Sequence, residues 1–464
     1  MDFEHTSKVQ KIADKIKELK IKGVKPRIFR GNSNTTRHVD FVSNEIIDIS
    51  CLNKILEINQ EQQYIVVEPN VTMGELIKAI LPFGLIPAVV MEFPDISAGG
   101  AFQGGAGESS SFKYGLFHEI TEEIEIVDGS GNVLELSPKL DKEMYYLLAC
   151  TYGSLAVLTK LKIKLVPATK FVKLSFFECA SINQAVDFFK ENLVNNKYDF
   201  ADAIFFSKNK GVVIFGKMVI ESSDISFENF NNASSEWFYS FVENKMKSGD
   251  LSESYLTMED YLFRYNYGGF WIAKYFFEFL KIPINKLTKY VFKRFLYAKN
   301  LFKALHEANY SQKFLVQDFC LPAESTEKYF NYLDDHYKIY PIWLCPINAS
   351  VKYDEFSPAH VKGSFAINFG SYGIVPKGVS YLDYNRDLEL VSASLGGRQT
   401  LYAHNYYTKE EFWQMYDLNK YQKARKYFKA SETFSDIYEK THVSKQYKAS
   451  LSRGLFSLFF KRVR

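Results

Sequence analysis

The chain has 464 residues, 47% hydrophobic and 24% charged, which is long enough for two or three packed domains. Its formal charge of +3 is too small to indicate nucleic-acid binding, which needs a clustered basic face. Five scattered cysteines without a CxxC pair argue against a disulfide framework or a metal site. The polar start and the absence of an apolar run of ~20 residues lead us to expect no signal peptide, no transmembrane segment and a cytoplasmic location, with or without peripheral membrane contact.

In chain order, the first 170 residues predict alternating short strands and helices. IIDIS and YIVVEP have the length and β-branching of strands, and TMGELIKAILPFG has helical apolar spacing that stops at Gly84. ITEEIEIVDGSGNVLEL predicts two strands around an Asp-Gly-Ser-Gly turn. After a helix end at Gly153, lysines alternate with apolar residues from Lys160 to Leu165, which predicts a strand with one buried face. We therefore predict an α+β fold with a first boundary near Pro167.

The remainder predicts strands and amphipathic helices interleaved to about Ser394, followed by a helix from Thr408 over KEEFWQMYDLNKYQKARKYF. Two stretches combine aromatic residues with positive charge. Residues 281–303 hold six lysines and one arginine without an acid, and residues 441–464 hold six basic residues around LFSLFF. Both stretches are candidates for peripheral contact with anionic lipid, although packing of the tail on the protein's own surface is an almost equal alternative.

Two loops are rich in glycine and small polar residues. GGAFQGGAGESSSFKYGLFHE, residues 99–119, has five glycines in its first nine positions, and RGNSNTTR, residues 30–37, places small polar residues between two arginines. A backbone without Cβ atoms can approach a ligand closely and direct several N–H groups at one anion. Neither loop matches the GxGxxG or GxxxxGK[ST] pattern. For either loop alone, a surface turn is an equally good interpretation.

Four segments carry a resemblance to a known family: VEPNVTMGELI, GAGESSSFKYGLFHEI, YPIWLCPI and LYAHNYYTKEEFW. They resemble segments of the delta-24 sterol reductase family, within the vanillyl-alcohol oxidase type of FAD enzymes, and they occur in the same order. The resemblance is dense over residues 25–170 and 340–440 and loose between them. It implies a two-part FAD-binding domain with an inserted α+β substrate domain, or cap. The implied division is 1–170 for the FAD-binding domain, 171–400 for the cap, 401–440 for a return to the FAD-binding domain and 441–464 for a basic-aromatic tail.

The resemblance also implies which residues contact FAD. Residues 31–36 would form a first pyrophosphate loop, residues 97–115 a second loop along the cofactor, and residues 153–159 a main-chain contact. The implied contacts are Gly31, Asn32, Ser33, Asn34, Thr35, Thr36, Ser97, Gly99, Gly100, Gly104, Gly105, Gly107, Glu108, Ser109, Ser110, Ser111, Tyr114, Gly115, Gly153 and Thr159. Ala156 replaces a glycine of the family pattern. We interpret His38, just after the first loop, as a surface histidine and expect non-covalent FAD.

A reductase of this family would pass a hydride from NADPH through FAD to an alkene, and the protein would supply a proton. As a strand, LYAHNYYT would place Tyr402, His404 and Tyr406 on one face, with a tyrosine as proton donor and the histidine as a relay. Half-buried sheet residues without a catalytic role are an equal alternative. Glu108 is the next candidate acid, while Trp343 and Cys345 are expected to be apolar walls of the substrate pocket.

Three function classes remain open at this point. The first is reduction of a side-chain alkene in a sterol or similar lipid. The second is an FAD-linked oxidase or dehydrogenase of an alcohol or sugar-like substrate on the same fold. The third is a non-catalytic membrane-binding protein that retains a flavin fold, which the two intact glycine loops disfavour. The aromatic content of 16% shifts the balance modestly towards a lipid-like ligand and the first class.

Overall fold

The structure is a computed structural model that describes residues 3–31, 35–37, 41–193, 197–220, 227–232, 235–307, 314–349, 355–363, 365–375 and 378–444. Its first element, the helix Phe3–Ile21, buries one face through apolar residues spaced three or four apart. His5 fixes the start of this helix, because its two ring nitrogens lie 2.9 Å from the carboxylates of Glu68 and Glu125. Helix and sheet are thereby joined by polar contacts as well as by apolar packing.

The first sheet is built before Pro167. Its antiparallel strands, in spatial order, are Ile55–Asn59, Tyr64–Val67, Val157–Pro167, Thr121–Val127 and Val133–Leu136, with Leu85–Pro87 paired to the end of Val157–Pro167. A separate parallel pair consists of Arg27–Phe29 and Ile46–Asp48. The helices of this part are Met73–Ile80, Ala98–Gly104, Ser111–Tyr114 and Lys142–Leu148, with 3-10 turns at Leu81–Phe83 and Phe117–Glu119.

The second sheet begins at Phe171 and has eight strands. In spatial order these are Ser254–Thr257, Phe171–Cys179, Lys210–Val219, Phe200–Ser207, Ile342–Asn348, Phe365–Ile374, Phe314–Pro322 and Arg398–Gln399, all antiparallel to their neighbours. The helices that accompany it are Ile182–Leu193, Phe238–Ser248, Met258–Leu262, Ile272–Leu280, Lys286–Val291, Ala298–Glu307, Thr326–His336 and Tyr381–Ser394, with 3-10 turns at Lys293–Phe295 and Ala323–Ser325.

The C-terminal helices, Lys409–Met415, Leu418–Tyr427 and Ile437–Thr441, return to the first part of the chain. The backbone N–H of Gly129 donates to Phe428 O at 2.9 Å, and Tyr421 donates its hydroxyl proton to Ser154 Oγ at 2.8 Å. Such contacts bring residues from both ends of the sequence to one site.

Several local predictions are confirmed. Gly84 ends the helical run with φ of 68°, the Asp-Gly-Ser-Gly turn joins two paired strands, and the lysine-alternating segment is a strand whose apolar face is buried. The expected mixture of helices and strands is observed, and the strands change sheet after Pro167. The single helix predicted from Thr408 is wrong, because Asp417 caps a new helix and divides the segment in two.

Candidate functional site

A cavity of about 560 Å³ lies where the first part of the chain, the second sheet and the C-terminal return meet. The glycine-rich loop supplies backbone to its wall, the second sheet supplies apolar and acidic side chains, and the return supplies Tyr402 and Lys440. The second-sheet residues on the wall are Val316, Asp318, Cys320, Trp343, Cys345, Ile347, Asn368 and Tyr372. This volume and mixed lining are typical of a site for a cofactor and a small molecule.

The glycine-rich loop presents bare backbone to the cavity. Ser97 caps the short helix Ala98–Gly104, which Gly105 ends in the left-handed region at φ of 61°. A Cβ added at Gly104 would have no protein atom within 4 Å, whereas one at Gly105 would lie 2.8 Å from Cys150 Sγ and from Pro358 Cδ. Gly104 therefore leaves space for a ligand, and Gly105 is required by the protein's own packing.

Four cations line the same cavity: Arg27, Arg30, Arg37 and Lys440. Arg30 Nη1 would lie 3.0 Å from a Cβ at Gly100, so this guanidinium is next to the loop. Arg37 is 8% exposed and donates to Ala403 O at 3.1 Å. Within the described part of the chain, no carboxylate forms an ion pair with Arg37 or Lys440. A positive cluster on the cavity wall, in which Arg37 is buried, is suited to an anionic group such as a diphosphate.

The pKa values of Lys440 and Arg37 are lowered, as expected for positive charges that lie close together. Burial, together with the positive charges of Arg27, Arg30 and Arg37, lowers the pKa of Lys440 to about 7. Burial and neighbouring arginines also lower the pKa of Arg37 to about 10. An anion placed among these cations would stabilise the charged form of each of them.

A second polar group on the cavity wall surrounds Asp318. This carboxylate accepts hydrogen bonds from Asn368 Nδ2 at 2.7 Å, from the Tyr372 hydroxyl at 3.1 Å and from the Tyr402 hydroxyl. Burial raises the pKa of Asp318, although these donors oppose the rise. Burial and the Asp318 charge raise the pKa of Tyr402 well above its usual value. Three donors are thus held around one carboxylate in an otherwise apolar wall.

Glu92 lines the cavity, as does the next residue in the chain, Phe93. Burial raises its pKa to about 8, and the negative charges of Glu108 and Asp318 act in the same direction. The Glu92 carboxyl group is consequently protonated at neutral pH and available as an acid.

The prediction that Tyr402, His404 and Tyr406 lie on a strand is wrong, because the structure places them in a turn. Side-chain amides of Gln317 and Gln399 donate to His404 O at 2.8 Å each and replace a partner strand. Tyr402 lines the cavity. His404 and Tyr406 are absent from its wall; their rings stack at 6.1 Å and pack beside Tyr381.

Glu108 and the serines that follow it are placed differently from the prediction. Glu108 pairs with Arg264 at 3.0 Å, and Arg264 also contacts Asp202 at 2.7 Å. The serine hydroxyls bond within the fold: Ser109 to Tyr261, Ser110 to Ala88 O, and Ser111 to the backbone N–H of Glu108. Glu108 and Ser109 thereby join the loop to the segment that holds Tyr261 and Arg264, and neither Glu108 nor the three serines line the cavity.

The other predicted site residues divide into three groups. Those on the cavity wall are Gly31, Thr35, Ser97, Gly99, Gly100, Gly104, Gly105, Gly107, Gly153, Trp343 and Cys345. Those away from it are Thr36, Glu108, Ser109, Ser110, Ser111, Tyr114, Gly115 and Thr159. Asn32, Ser33, Asn34 and His38 lie outside the described residues. Burial raises the pKa of the Cys345 thiol, which agrees with a wall residue and not with a nucleophile.

Sequence reasoning missed Lys440, Glu92 and Asp318 as site residues. Asp318 left a signal, since it is a lone acid inside the strand Phe314–Pro322, whose nine residues are all buried. Glu92 follows an apolar run and offers a weaker signal of the same kind. Nothing local distinguishes Lys440 from the other lysines of the C-terminal segment.

Comparisons with known proteins agree with this arrangement. Residues 5–137 match the family model described as an FAD binding domain. The chain is similar to the Delta(24)-sterol reductase of Homo sapiens, with 28% identity over 84% of this chain and 76% of the relative. It is also similar to the Delta(24)-sterol reductase homolog of Caenorhabditis elegans, with 27% identity over 94% and 87%, and to the Delta(24)-sterol reductase of Arabidopsis thaliana, with 26% over 94% and 84%.

The cationic pocket, the glycine backbone and the matched domain define an FAD-dependent oxidoreductase with a mixed α and β fold. The resemblance to the delta-24 sterol reductase family is confirmed over most of the chain. In the part of the chain that the structure describes, no helix is long and apolar enough to span a membrane.

Proposed function

We propose that this protein reduces a side-chain alkene of a sterol or a similar lipid, with NADPH as the electron donor and non-covalently bound FAD as the carrier. The main observation behind this proposal is a single cavity with a cationic wall and an apolar wall. The apolar wall contains two carboxyl groups with raised pKa values, those of Glu92 and Asp318. The relatives' names support the substrate class and the reaction.

The charges and the bare backbone on the cavity wall are suited to binding FAD. Arg30, Arg37 and Lys440 would hold the diphosphate, while Gly104, where the wall is open, would let the cofactor approach the backbone. When bound and reduced, FAD would supply the hydride that the alkene accepts. We further propose the division into an FAD-binding domain of residues 1–170, a cap of residues 171–400 and a return of residues 401–440.

The second hydrogen of the saturated product is a proton, which the chain must supply. Glu92 is the favoured donor, because it lines the cavity and its pKa of about 8 keeps it protonated at neutral pH. It would transfer its carboxyl proton to one alkene carbon while the hydride reaches the other, and water would then reprotonate the carboxylate. Tyr402 is the alternative donor. Its hydroxyl already donates to Asp318 and its pKa is raised, so a positioning role for the Tyr402–Asp318 pair is favoured.

The substrate would lie against the second sheet. Trp343, Cys345 and Tyr372 form an apolar surface there, and Trp343 is fixed because its indole N–H donates to Asp202 Oδ2 at 3.1 Å. Hydrophobic walls with few convergent polar groups suit a lipid whose only reactive feature is a double bond.

The test is to purify the full chain, record its visible spectrum, and follow NADPH oxidation anaerobically with and without a sterol that carries a side-chain alkene. We expect a flavin spectrum, reduction by NADPH, and reoxidation that depends on the sterol and yields the saturated side chain. A flavin that is reduced by an alcohol or a sugar but is not reoxidised by the alkene would indicate the oxidase or dehydrogenase class. Absence of flavin would remove both interpretations.

A further inference from the structure

A short segment of the chain, which we call the excursion, joins two helices that line the cavity. It runs from residue 281 to residue 297 between the helices Ile272–Leu280 and Ala298–Glu307. Both flanking helices contribute to the cavity, the first through Ile272 and the second through Phe302. The excursion is therefore connected directly to the proposed substrate site.

The helix of this excursion, Lys286–Val291, is oriented against the usual rule that apolar residues face inwards. Lys289 is 8% exposed; its ammonium group donates to Ser235 O at 2.5 Å and lies 5.5 Å from the centre of the Trp237 ring. Leu287, in contrast, is 71% exposed and Val291 is 64% exposed. Burying a lysine while leaving large apolar side chains in solvent is unfavourable unless another apolar phase covers them.

We call the exposed apolar side chains of the excursion the outer patch. Its members are Ile284, Leu287, Tyr290 and Val291. Three of them, Leu287, Tyr290 and Val291, are spaced three and four positions apart and therefore share one face of the helix Lys286–Val291. Inside the excursion, Phe292 packs at 5.7 Å from Phe276 and at 5.9 Å from Phe277. The excursion is thus anchored to the preceding helix by its own aromatic residues, and the outer patch is not part of that packing.

Four exposed cations lie in the same segment as the outer patch: Lys281, Lys286, Lys293 and Arg294. Among the residues that the structure describes, none of the four forms an ion pair, and residues 281–303 contain no acid. On neighbouring elements, the Glu278 carboxylate is paired with Lys274 at 3.8 Å and Glu236 accepts a hydrogen bond from Asn244 at 2.5 Å. The positive charge of this segment is consequently left without a carboxylate partner among the described residues.

We propose that the outer patch inserts into the surface of an anionic lipid bilayer, with the four cations at the lipid headgroups. Apolar and aromatic side chains ringed by lysine and arginine are the composition that binds such a surface. A second copy of the chain is a poorer occupant, because a self-complementary interface would bring the same cations against each other. Collection of a sterol-like substrate from the bilayer is a consequence that rests on the proposed function; the docking itself does not.

The experiment measures co-sedimentation of the full chain with vesicles of phosphatidylcholine, with and without phosphatidylserine, at low and high salt. We expect binding to the vesicles that contain phosphatidylserine and weakening by salt. The variant Leu287→Asp/Val291→Asp should lose about tenfold or more in vesicle affinity. Its flavin content and thermal stability should be unchanged, because both side chains are exposed. Leu140→Asp is the matched control, since Leu140 is 73% exposed on another part of the surface.

A second variant, Lys286→Gln/Lys293→Gln/Arg294→Gln, separates charge from insertion and should reduce the salt dependence of binding. Vesicle binding that survives both variants would overturn the proposal and would point to residues 445–464, which lie outside the described part of the chain. Loss of self-association in Leu287→Asp/Val291→Asp without a change in vesicle binding would identify a second copy as the occupant and would also overturn it. Because vesicle binding is measured without turnover, failure of the proposed reaction would leave this result intact.

Discussion

Lys440 donates a hydrogen bond from its ammonium group to the carbonyl oxygen of Gly153 across 2.8 Å, although 287 positions separate the two residues in sequence. Gly153 belongs to the turn before the central strand of the first sheet, and Lys440 belongs to the last described helix. Both residues line the cavity. The contact therefore closes the cationic wall with the end of the chain, and it makes the C-terminal return part of the proposed cofactor site.

The first prediction concerns the pH dependence of FAD binding. The pKa of Lys440 is lowered to about 7 by burial and neighbouring arginines, and a bound diphosphate would raise it. The complex then holds the proton more firmly than the free protein, so affinity should be fully present below about pH 7 and should fall as the pH rises through that value. Flavin fluorescence titrations between pH 6 and 9 measure this dependence, with the pH values chosen to bracket about 7.

Replacement of Lys440 should change FAD affinity and the stability of the FAD-free protein in opposite directions. Lys440→Met should weaken FAD binding and flatten its pH dependence. In the absence of FAD the same change should raise the melting temperature near neutral pH, because it removes a cation whose folded-state pKa is depressed. Lys423→Met is the control, since Lys423 is 59% exposed and pairs with Glu143 at the surface. A steep pH dependence that persists in Lys440→Met would show that another group is responsible.

The second prediction separates two adjacent glycines. Gly104→Val should retain the fold and lose FAD, because its side chain would occupy open space in the cavity. Gly105→Val should destabilise the protein even without cofactor, since φ is positive there and the side chain would meet Cys150 and Pro358. Thermal melts of both variants with and without FAD decide the matter. FAD bound only to the folded state stabilises by about 2.7 kcal/mol at a hundredfold excess over Kd. An undiminished FAD-induced shift in Gly104→Val would contradict the proposed position of the cofactor.

The sequence was sufficient for features set by local chemistry. Gly84 marks a real helix stop, and the glycine-rich loop does present its backbone to a cavity. The contacts of the polar residues in that loop could not be predicted in the same way, because sequence cannot tell whether Ser110 bonds to a ligand or, as in the structure, to the carbonyl oxygen of Ala88. The cationic wall could not be predicted from the sequence for a similar reason. Lys440 enters it only through tertiary packing against Gly153.

The turn at residues 401–408 is set by tertiary contacts and not by its local sequence pattern. Alternating tyrosines suggested a strand, yet strand formation needs a neighbouring strand with free hydrogen-bonding groups. Gln317 and Gln399 satisfy the carbonyl oxygen of His404 instead, and a single-residue β-bridge joins Asn405 to His442. The neighbouring side chains, which no local pattern reveals, decided the structure.

The third prediction uses that turn to separate two tyrosines. Tyr402→Phe should leave FAD binding and reduction by NADPH intact and should slow transfer to the alkene, because it removes the hydrogen bond to Asp318 on the cavity wall. Tyr406→Phe is the matched control and should have little effect, since Tyr406 is not on that wall. Anaerobic stopped-flow measurement of flavin reduction and of its reoxidation by the alkene resolves the two steps. Equal loss of the reoxidation rate in both variants would indicate a structural effect of the whole turn.

The last prediction tests Glu92 as the proton donor. Its pKa is raised to about 8, mainly by burial, so the acid form is present below that pH and is lost above it. The rate of alkene reduction should accordingly fall as the pH rises through about 8, whereas flavin reduction by NADPH should not follow this profile. Glu92→Gln should slow the alkene step by about 10²–10⁴-fold and remove the pH dependence.

The same variant should be more stable than the wild type near neutral pH, because the unfolded chain no longer gains a favourable ionisation. Glu75→Gln is the control, being a surface glutamate in the cap of the helix Met73–Ile80. If Glu92→Gln retained the wild-type rate and pH profile, the proton would have to come from Tyr402 or from water.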